Sequence, residues 1–139
     1  MAYDTIKTGI VGRLKGLGLT ESTEAFDFEN ASSREYGLTF ILNCLSGAMD
    51  EESSETIIDR FYDFQEWELK IAFKKSAQSD VINKDNAHRK KDTILADIDD
   101  PANWSSFARI LKYKSWELTE SPDYFLLTIN LTIQDTYTY

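Results

Sequence analysis

The sequence predicts an α+β fold in which two helices cover a mostly antiparallel sheet of about four to five strands. Apolar residues near the start recur at helical spacing, and later segments alternate apolar and polar side chains as strands do. A second helical segment separates the first two long strands from the last two, which is typical of α+β proteins. With 139 residues, 42% of them hydrophobic, residues 1–139 are expected to form a single domain.

The first helix is predicted from four apolar residues that lie four, four and three positions apart. They are Ile6, Ile10, Leu14 and Leu17. Asp4 or Thr5 is expected to cap the start, and Gly18 to adopt the left-handed conformation just past the end. Three glycines inside the helix each weaken it by up to about 1 kcal/mol relative to alanine, so we expect it to depend on packing against the sheet.

Two strands are predicted to follow. The segment Tyr36–Cys44 alternates cleanly, with its apolar residues on one face, and residues 46–55 predict a polar, acidic connection. The next strand is expected from about Thr56 to Lys74. Its apolar phase changes near Gln65, which predicts a β-bulge or a sharp bend there.

The second half of the chain predicts a helix and then a hairpin. Ser79 can cap a helix over residues 79–98, and Pro101 stops it because proline disfavours a helical conformation in the preceding residue. Its loose apolar stripe consists of Val81, Ala87, Ile94, Leu95 and Ile98. Residues 107–118 and a final strand joined by a short turn are expected to pair. The inward residues of the final strand are Phe125, Leu127, Ile129, Leu131 and Ile133.

The charge is acidic overall and uneven along the chain. The net charge of −9 argues against a nucleic-acid clamp, which needs a basic surface to displace phosphate counterions. Residues 19–69 hold thirteen Asp and Glu against two Arg, whereas residues 70–91 hold seven Lys and Arg against two Asp. Blocks of opposite sign are typical of surfaces that meet unlike surfaces on a partner, although solvated loops explain them equally well.

The sequence predicts neither a secreted nor a membrane protein. The only cysteine, Cys44, cannot form an intramolecular disulfide, which favours a reducing site of assembly. We expect it to be buried and inert on the apolar face of its strand. The first residues lack the apolar core of a signal peptide, and no apolar run approaches the roughly 20 residues that span a bilayer.

No catalytic, cofactor or metal site is expected. The single histidine, His88, has no orienting partner in the sequence, and a surface role is the better interpretation. Glu66 and Glu68 share a strand face, but exposed strands carry such pairs routinely. Asp97, Asp99 and Asp100 resemble a calcium loop only superficially, because the glycine and the final glutamate of an EF-hand are missing.

Two surfaces are candidates for partner contacts. The outward face of the last strand is uncharged at Thr128, Asn130 and Thr132, and the chain continues to Tyr137 and Tyr139. Because exposed edge strands are usually blunted by charge, such a strand predicts either contact with another subunit or a central position in the sheet. The second candidate is the basic run of Arg89, Lys90 and Lys91, which could meet an acidic protein surface or, less plausibly, phosphate.

The order of these elements resembles the tail-terminator (tail-completion) proteins of long-tailed bacteriophages. The matching features are an amphipathic helix over residues 4–17, a strand pair at Tyr36–Cys44 and Glu66–Phe73, a helix at 79–98 and a closing hairpin at Tyr113–Leu118 and Tyr124–Ile133. The resemblance is one of pattern and order over most of the chain and contains no invariant motif. The segments 20–35 and 46–60 have no counterpart in it.

The resemblance implies a non-enzymatic virion protein, assembled in the host cytoplasm and located at the tail–head junction. It would form a ring, typically hexameric, that caps the head-proximal end of the tail tube and contacts the tail tube protein and a head-completion or connector protein. DNA would pass through without specific binding, and an acidic lumen would suit that passage. We assign Asp50, Glu51, Glu52 and Glu55 to the lumen as a hypothesis. The alternatives are another head–tail connector or neck protein, or a small ligand-binding or enzymatic α+β domain.

Overall fold

The structure is a computed structural model that describes residues 2–22, 38–49, 60–108 and 110–138. Within these ranges the chain forms two helices and five strands. In chain order they are α1 (Ala2–Gly16), β1 (Thr20–Glu21), β2 (Thr39–Met49), β3 (Arg60–Lys74), α2 (Asp80–Asp99), β4 (Ile110–Glu120) and β5 (Tyr124–Thr138), with a 3-10 turn at Pro101–Asn103.

The five strands form one sheet in the order β1-β2-β3-β5-β4. Every pairing is antiparallel except that of the two-residue β1 with β2. β3 and β5 pair without interruption from Arg60↔Thr138 to Lys74↔Tyr124 and form the centre of the sheet. The predicted α+β fold with a mostly antiparallel sheet and two helices is therefore confirmed.

Both helices pack on one face of the sheet, which we call the inner face. The strands contribute alternate apolar side chains to it, and among them Trp67, Leu69 and Leu131 are fully buried. The stripes of α1 and α2 complete the same core through Ile6, Ile10, Leu14, Ile94 and Ile98. Burial of these stripes is the main source of stability for two helices that are weak by sequence.

The end of α1 is closed as the sequence predicts. Gly18 has φ +88°, a left-handed value that glycine adopts without steric cost. The backbone N–H groups of Gly18 and Leu19 donate to the carbonyls of Lys15 and Leu14, and Leu19 is buried. The start was predicted wrongly: α1 begins at Ala2, so Asp4 lies in the first turn, where a carboxylate favours the helix dipole, and neither Asp4 nor Thr5 is the cap.

Helix α2 is bounded as predicted. The Ser79 side chain accepts from the backbone N–H of Ile82, and α2 ends just before Asp100 and Pro101. Trp104 secures the chain that leaves α2, because its Nε1 donates to the Ile98 carbonyl at 2.8 Å. The placement of Val81 on the apolar stripe was wrong, since it is 70% exposed and Asn83 is the buried residue in the first turns instead.

The irregularity predicted for β3 lies in β2. Cys44 pairs with Trp67 and Ser46 with Glu66, so Leu45 is the extra residue of a bulge. β3 itself keeps one phase, with Gln65 and Trp67 buried and Phe64 on the opposite face. β2 also continues to Met49, through residues that were predicted to be a connection.

The final hairpin is confirmed, and the five predicted inward residues of β5 are buried. β4 runs from Ile110 to Glu120 with a register shift between Tyr113 and Ser115. Phe107, predicted to lie in this strand, instead lies in the preceding turn and contacts α1. A Cβ atom on Gly9 would lie only 2.3 Å from the Phe107 ring, so glycine is what permits that contact.

Candidate interaction surface

The side of the sheet opposite the helices, here the outer face, is the broadest polar surface in the part of the chain that the structure describes. We call the outward-pointing residues of one strand a column. The middle column belongs to β5, and its residues Thr128, Asn130 and Thr132 are half-buried. Residues paired across neighbouring strands point to the same side of a sheet. The register therefore defines which residues of β3 and β4 flank that column.

β3 contributes an alternating column of mixed charge to the outer face. Glu66 pairs with Thr132, Glu68 with Asn130 and Lys70 with Thr128. The side chains contact one another within this face. The Thr132 hydroxyl lies 3.4 Å from a Glu66 carboxylate oxygen, to which it donates, and the Lys70 ammonium lies 3.5 Å from Glu68.

β4 contributes a second charged column on the other side of β5. Lys112 pairs with Thr132, Ser115 with Asn130 and Glu117 with Thr128, and all three β4 residues are exposed. Asn130 Nδ2 donates to the Ser115 hydroxyl at 3.0 Å, which confirms that the two side chains share a face. The β3 and β4 columns are about 10 Å apart, two strand spacings.

Sequence reasoning found the β5 column but missed the β4 column. The reason is the register shift between Tyr113 and Ser115, which breaks the period-two pattern of Lys112, Ser115 and Glu117. A bulge cannot be recognised from the charges alone, because Lys114 beside it is also exposed.

β5 is a central strand, since it pairs with β3 on one side and β4 on the other. The central position, one of the two explanations for its uncharged face, is therefore confirmed. Both edges of β5 are occupied along the residues that pair with β3 and β4. The assignment of Thr128, Asn130 and Thr132 to a partner contact remains a prediction. Such a contact would be made by their side chains and not by the backbone edge of β5. The backbone of Tyr137 pairs with Phe61, and Tyr139 lies outside the described residues.

The basic run on α2 is largely engaged within the chain. Lys90 Nζ donates to the Leu17 carbonyl at 2.6 Å, which ties α2 to the end of α1. Lys91 lies over the Trp116 ring, 3.9 Å from its centroid, and 3.2 Å from an Asp92 carboxylate oxygen. Arg89 is exposed and donates to the Asn86 side chain at 3.1 Å. Arg89 is thus the member of this predicted interface that is best placed to meet a partner.

A partly exposed ion pair connects the two helices. Arg13 of α1 donates to both carboxylate oxygens of Asp97 in α2, and Asn103 Nδ2 donates to the Asp97 carbonyl at 3.0 Å. The hydrogen bond to Asp97 raises the pKa of Arg13 further above its ordinary value. The pair therefore adds a polar link between α1 and α2 to their apolar packing on the sheet.

A second cluster of charges lies where β3 meets α2. Lys75 donates to a Glu120 carboxylate oxygen and lies 3.7 Å from Asp80. Its ammonium also faces the Phe125 ring, 5.0 Å from the centroid. The hydrogen bond to Glu120 raises the pKa of Lys75 above its ordinary value of 10.5; the attraction of Asp80 acts in the same direction, whereas burial acts against it.

The structure also places His88 and Cys44, the histidine and the thiol considered for catalysis. His88 packs edge-on against Trp116, with ring centroids 5.8 Å apart. Cys44 is exposed, so the prediction of a buried thiol was wrong. It lies on the same side of the sheet as Trp67, next to the bulge at Leu45.

The lumen hypothesis falls on residues that the structure does not describe. Asp50, Glu51, Glu52 and Glu55 all lie outside the described ranges. Within those ranges, no cluster of three or more His, Cys, Asp or Glu is placed to hold a metal ion. Among the same residues, no helix is long and apolar enough to cross a membrane.

One open groove is large enough for a small ligand. Its volume is about 340 Å³, and Lys74, Asn83 and Lys90 are among its lining residues. Asn83, the buried polar residue there, is fully engaged: its amide bonds the backbone and hydroxyl of Ser76 and the carbonyl of Gln78. These bonds fix the loop that enters α2, so Asn83 has a structural role in the groove wall.

The chain matches no protein-family model and no curated protein sequence. The assignment of function therefore depends on the order of the elements and on the surfaces described above.

Proposed function

We propose that this protein is a structural component of a phage virion that forms a ring on the head-proximal end of the tail tube and joins the tail to the head. It stops growth of the tube and presents a docking surface for the head. Its partners are other copies of itself, the tail tube protein and a head-completion or connector protein. No catalytic step is part of this role.

The order of elements carries this proposal. A helix, two strands, a second helix and a closing hairpin follow one another, as in the tail-terminator family that the sequence resembles. The last strand is central, and both helices lie on one side of the sheet. This arrangement leaves a broad sheet face and the outward side of α2 for contacts with other subunits.

The charge distribution supports a ring of identical subunits. In a ring, one surface of each subunit meets a different surface of its neighbour, so blocks of opposite sign suit the contact. Arg89, exposed on α2, belongs to the basic block. The acidic block includes the lumen candidates Asp50, Glu51, Glu52 and Glu55, whose carboxylates would repel passing DNA.

Native mass spectrometry and negative-stain electron microscopy test the proposal. We expect closed rings of one defined stoichiometry, formed by the purified protein at high concentration or on addition of the tail tube protein. A strictly monomeric protein that neither forms rings nor binds tube ends, under conditions where the tube is intact, would contradict it.

A truncation tests the assigned contact at the end of the chain. Deleting Tyr137–Tyr139 removes the last backbone pairs between β3 and β5 together with two tyrosines. We expect ring formation to be lost or strongly weakened while circular dichroism still shows a folded protein. Unchanged rings would remove Tyr137 and Tyr139 from the subunit interface without affecting the ring itself.

A further inference from the structure

We propose that the outer face docks a second copy of this chain, sheet against sheet, about a two-fold axis that runs parallel to β5. The evidence is that the outer-face residues of β3 and β4, on either side of β5, are complementary in charge and in apolar character. This contact is separate from the proposed ring interface, because it is isologous and closes at two copies.

The match holds row by row. From one end of the outer face to the other, the paired rows place Phe64 level with Ile110, Glu66 with Lys112, Glu68 with Ser115, Lys70 with Glu117 and Ala72 with Thr119. Each row contains one β5 residue between its two members. The first four rows therefore combine apolar with apolar, acid with base, acid with hydroxyl, and base with acid. In the fifth row Ala72 is fully buried, so that row adds no contact.

A half-turn about an axis parallel to β5 converts this pattern into contacts between copies. The rotation keeps each row at its own level and carries β3 of one copy over β4 of the other. Glu66 then faces the second copy's Lys112, and Lys70 faces its Glu117. Because the operation is symmetric, each of these opposite-charge pairs occurs twice in the dimer.

The middle column is compatible with the same axis. Thr128, Asn130 and Thr132 meet their own counterparts, and none carries a charge, so the rotation creates no like-charge contact in these rows. An amide can donate and accept at once, so Asn130 can bond to its copy. Phe64 and Ile110, each 36% exposed in the single chain, become covered by each other.

The other simple arrangement, a half-turn about an axis across the strands, is less favourable. It also pairs opposite charges, since Glu66 would face the second copy's Lys70. However, it places Phe64 over Ala72 and Ile110 over Thr119, so the two large apolar side chains gain no apolar partner of matching size. The two arrangements differ in which charge exchange restores pairing.

The matched area is small. The four matched rows extend over roughly 20 Å and three strands over roughly 15 Å, which gives about 300 Å² from each copy against about 800 Å² in a standard interface. We therefore expect weak, reversible pairing that weakens as salt is raised. Pairing doubles whichever species carries the face, a monomer into a dimer or a ring into two stacked rings.

A charge exchange tests this proposal. Sedimentation equilibrium from about 5 to about 500 µM protein should show doubling of the wild type, weakened about tenfold or more in Glu66→Lys and in Lys112→Glu. The combined variant E66K/K112E should restore it, whereas E66K/K70E should not. Matched reversals at exposed positions away from the outer face and α2, Lys15→Glu and Asp123→Lys, should leave it unchanged.

Several outcomes would overturn the proposal. They are a wild type without any doubled species, doubling that survives both single reversals, and restoration by E66K/K70E instead of E66K/K112E. Rings that do not double overturn the pairing but leave the proposed function standing. Doubling without any rings supports the pairing and overturns the proposed function.

A cross-linking measurement remains decisive if a charge variant fails to fold. With Cys44 replaced by serine, Asn130→Cys places one thiol of each copy near the axis, on two packed sheets whose backbones lie about 10 Å apart. A short bismaleimide should link the copies, whereas Ser105→Cys, at an exposed site in the turn before β4, should not be linked. Equal linking of both variants would contradict the pairing.

Discussion

On the inner side of β5, Leu127, Ile129 and Leu131 are 0% exposed, whereas Thr128 and Asn130 on the outer side remain half-buried. Alternate residues of β5 thus have two different roles. The inner residues pack against two helices, and any change in their volume affects the core. Among the described residues, the outer side chains of Asn130 and Thr132 bond to Ser115 and Glu66 within the sheet. Changes on this side therefore affect the core less than changes on the inner side.

The largest effect that would test this difference is expected from Trp67. Its indole is fully buried, stacks on Tyr3 with ring centroids 5.4 Å apart, and donates from Nε1 to Gln65 at 2.8 Å. Trp67→Ala should lower the free energy of unfolding by about 3–5 kcal/mol, because a large cavity and an unmatched polar group remain. Thr128→Ala on the outer face should change it by less than about 0.5 kcal/mol. Urea denaturation followed by circular dichroism measures both, and comparable losses would contradict the division between the faces.

A smaller effect is expected where α1 meets the turn before β4. Gly9→Ala places a Cβ against the Phe107 ring and should cost about 1–3 kcal/mol, because the helix or the ring must move. Gly12→Ala in the same helix has no atom within 4 Å of the added Cβ, so it should stabilise the protein by about 0.5–1 kcal/mol. Thermal unfolding of the two variants should shift in opposite directions. A shift in the same direction would mean that Phe107 does not contact Gly9.

The smallest effect is expected from Lys75 at the rim of the core. Its pKa is raised in the folded protein, so its contribution to stability is fully present below the ordinary pKa of 10.5 and is lost as pH rises through the folded-state value. Between about pH 9 and about pH 12, the wild type should therefore lose more stability than Lys75→Met. The denaturation midpoints should converge at the alkaline end. Parallel curves for the two proteins would remove Lys75 from the alkaline transition.

Regular alternation and helix-terminal residues allowed much of the fold to be predicted. β5 was assigned correctly because five apolar residues alternate without interruption, and α2 because Ser79 and Pro101 mark its ends. β2 was also predicted as a strand, but its bulge and its continuation to Met49 were not. Its bulge at Leu45 is invisible in the sequence, since bulges depend on the pairing of two strands and not on one pattern.

The other differences between prediction and structure have two causes. One is an element too short to show a pattern, and the other is contact between residues that are distant in sequence. β1 has two residues, Thr20 and Glu21, and two residues carry no period. The exposure of Cys44 depends on what packs over its side of the sheet, which the alternation of one strand does not show. The roles of Lys90 and Lys91 depend on Leu17 and Trp116, which are distant in sequence. Of the candidate surface, the β5 column was foreseen, whereas the β3–β4 match required the register.

The pairing of β3 with β5 also determines how the chain reaches its native state. Lys74 pairs with Tyr124, fifty residues later, and Arg60 pairs with Thr138, seventy-eight residues later. The centre of the sheet can thus form only after long loops have closed, which delays folding to the millisecond-to-second range of high-contact-order proteins. Until β5 arrives, the edge of β3 that will receive it stays open, and crowded copies at that stage are at risk of pairing through the wrong strands.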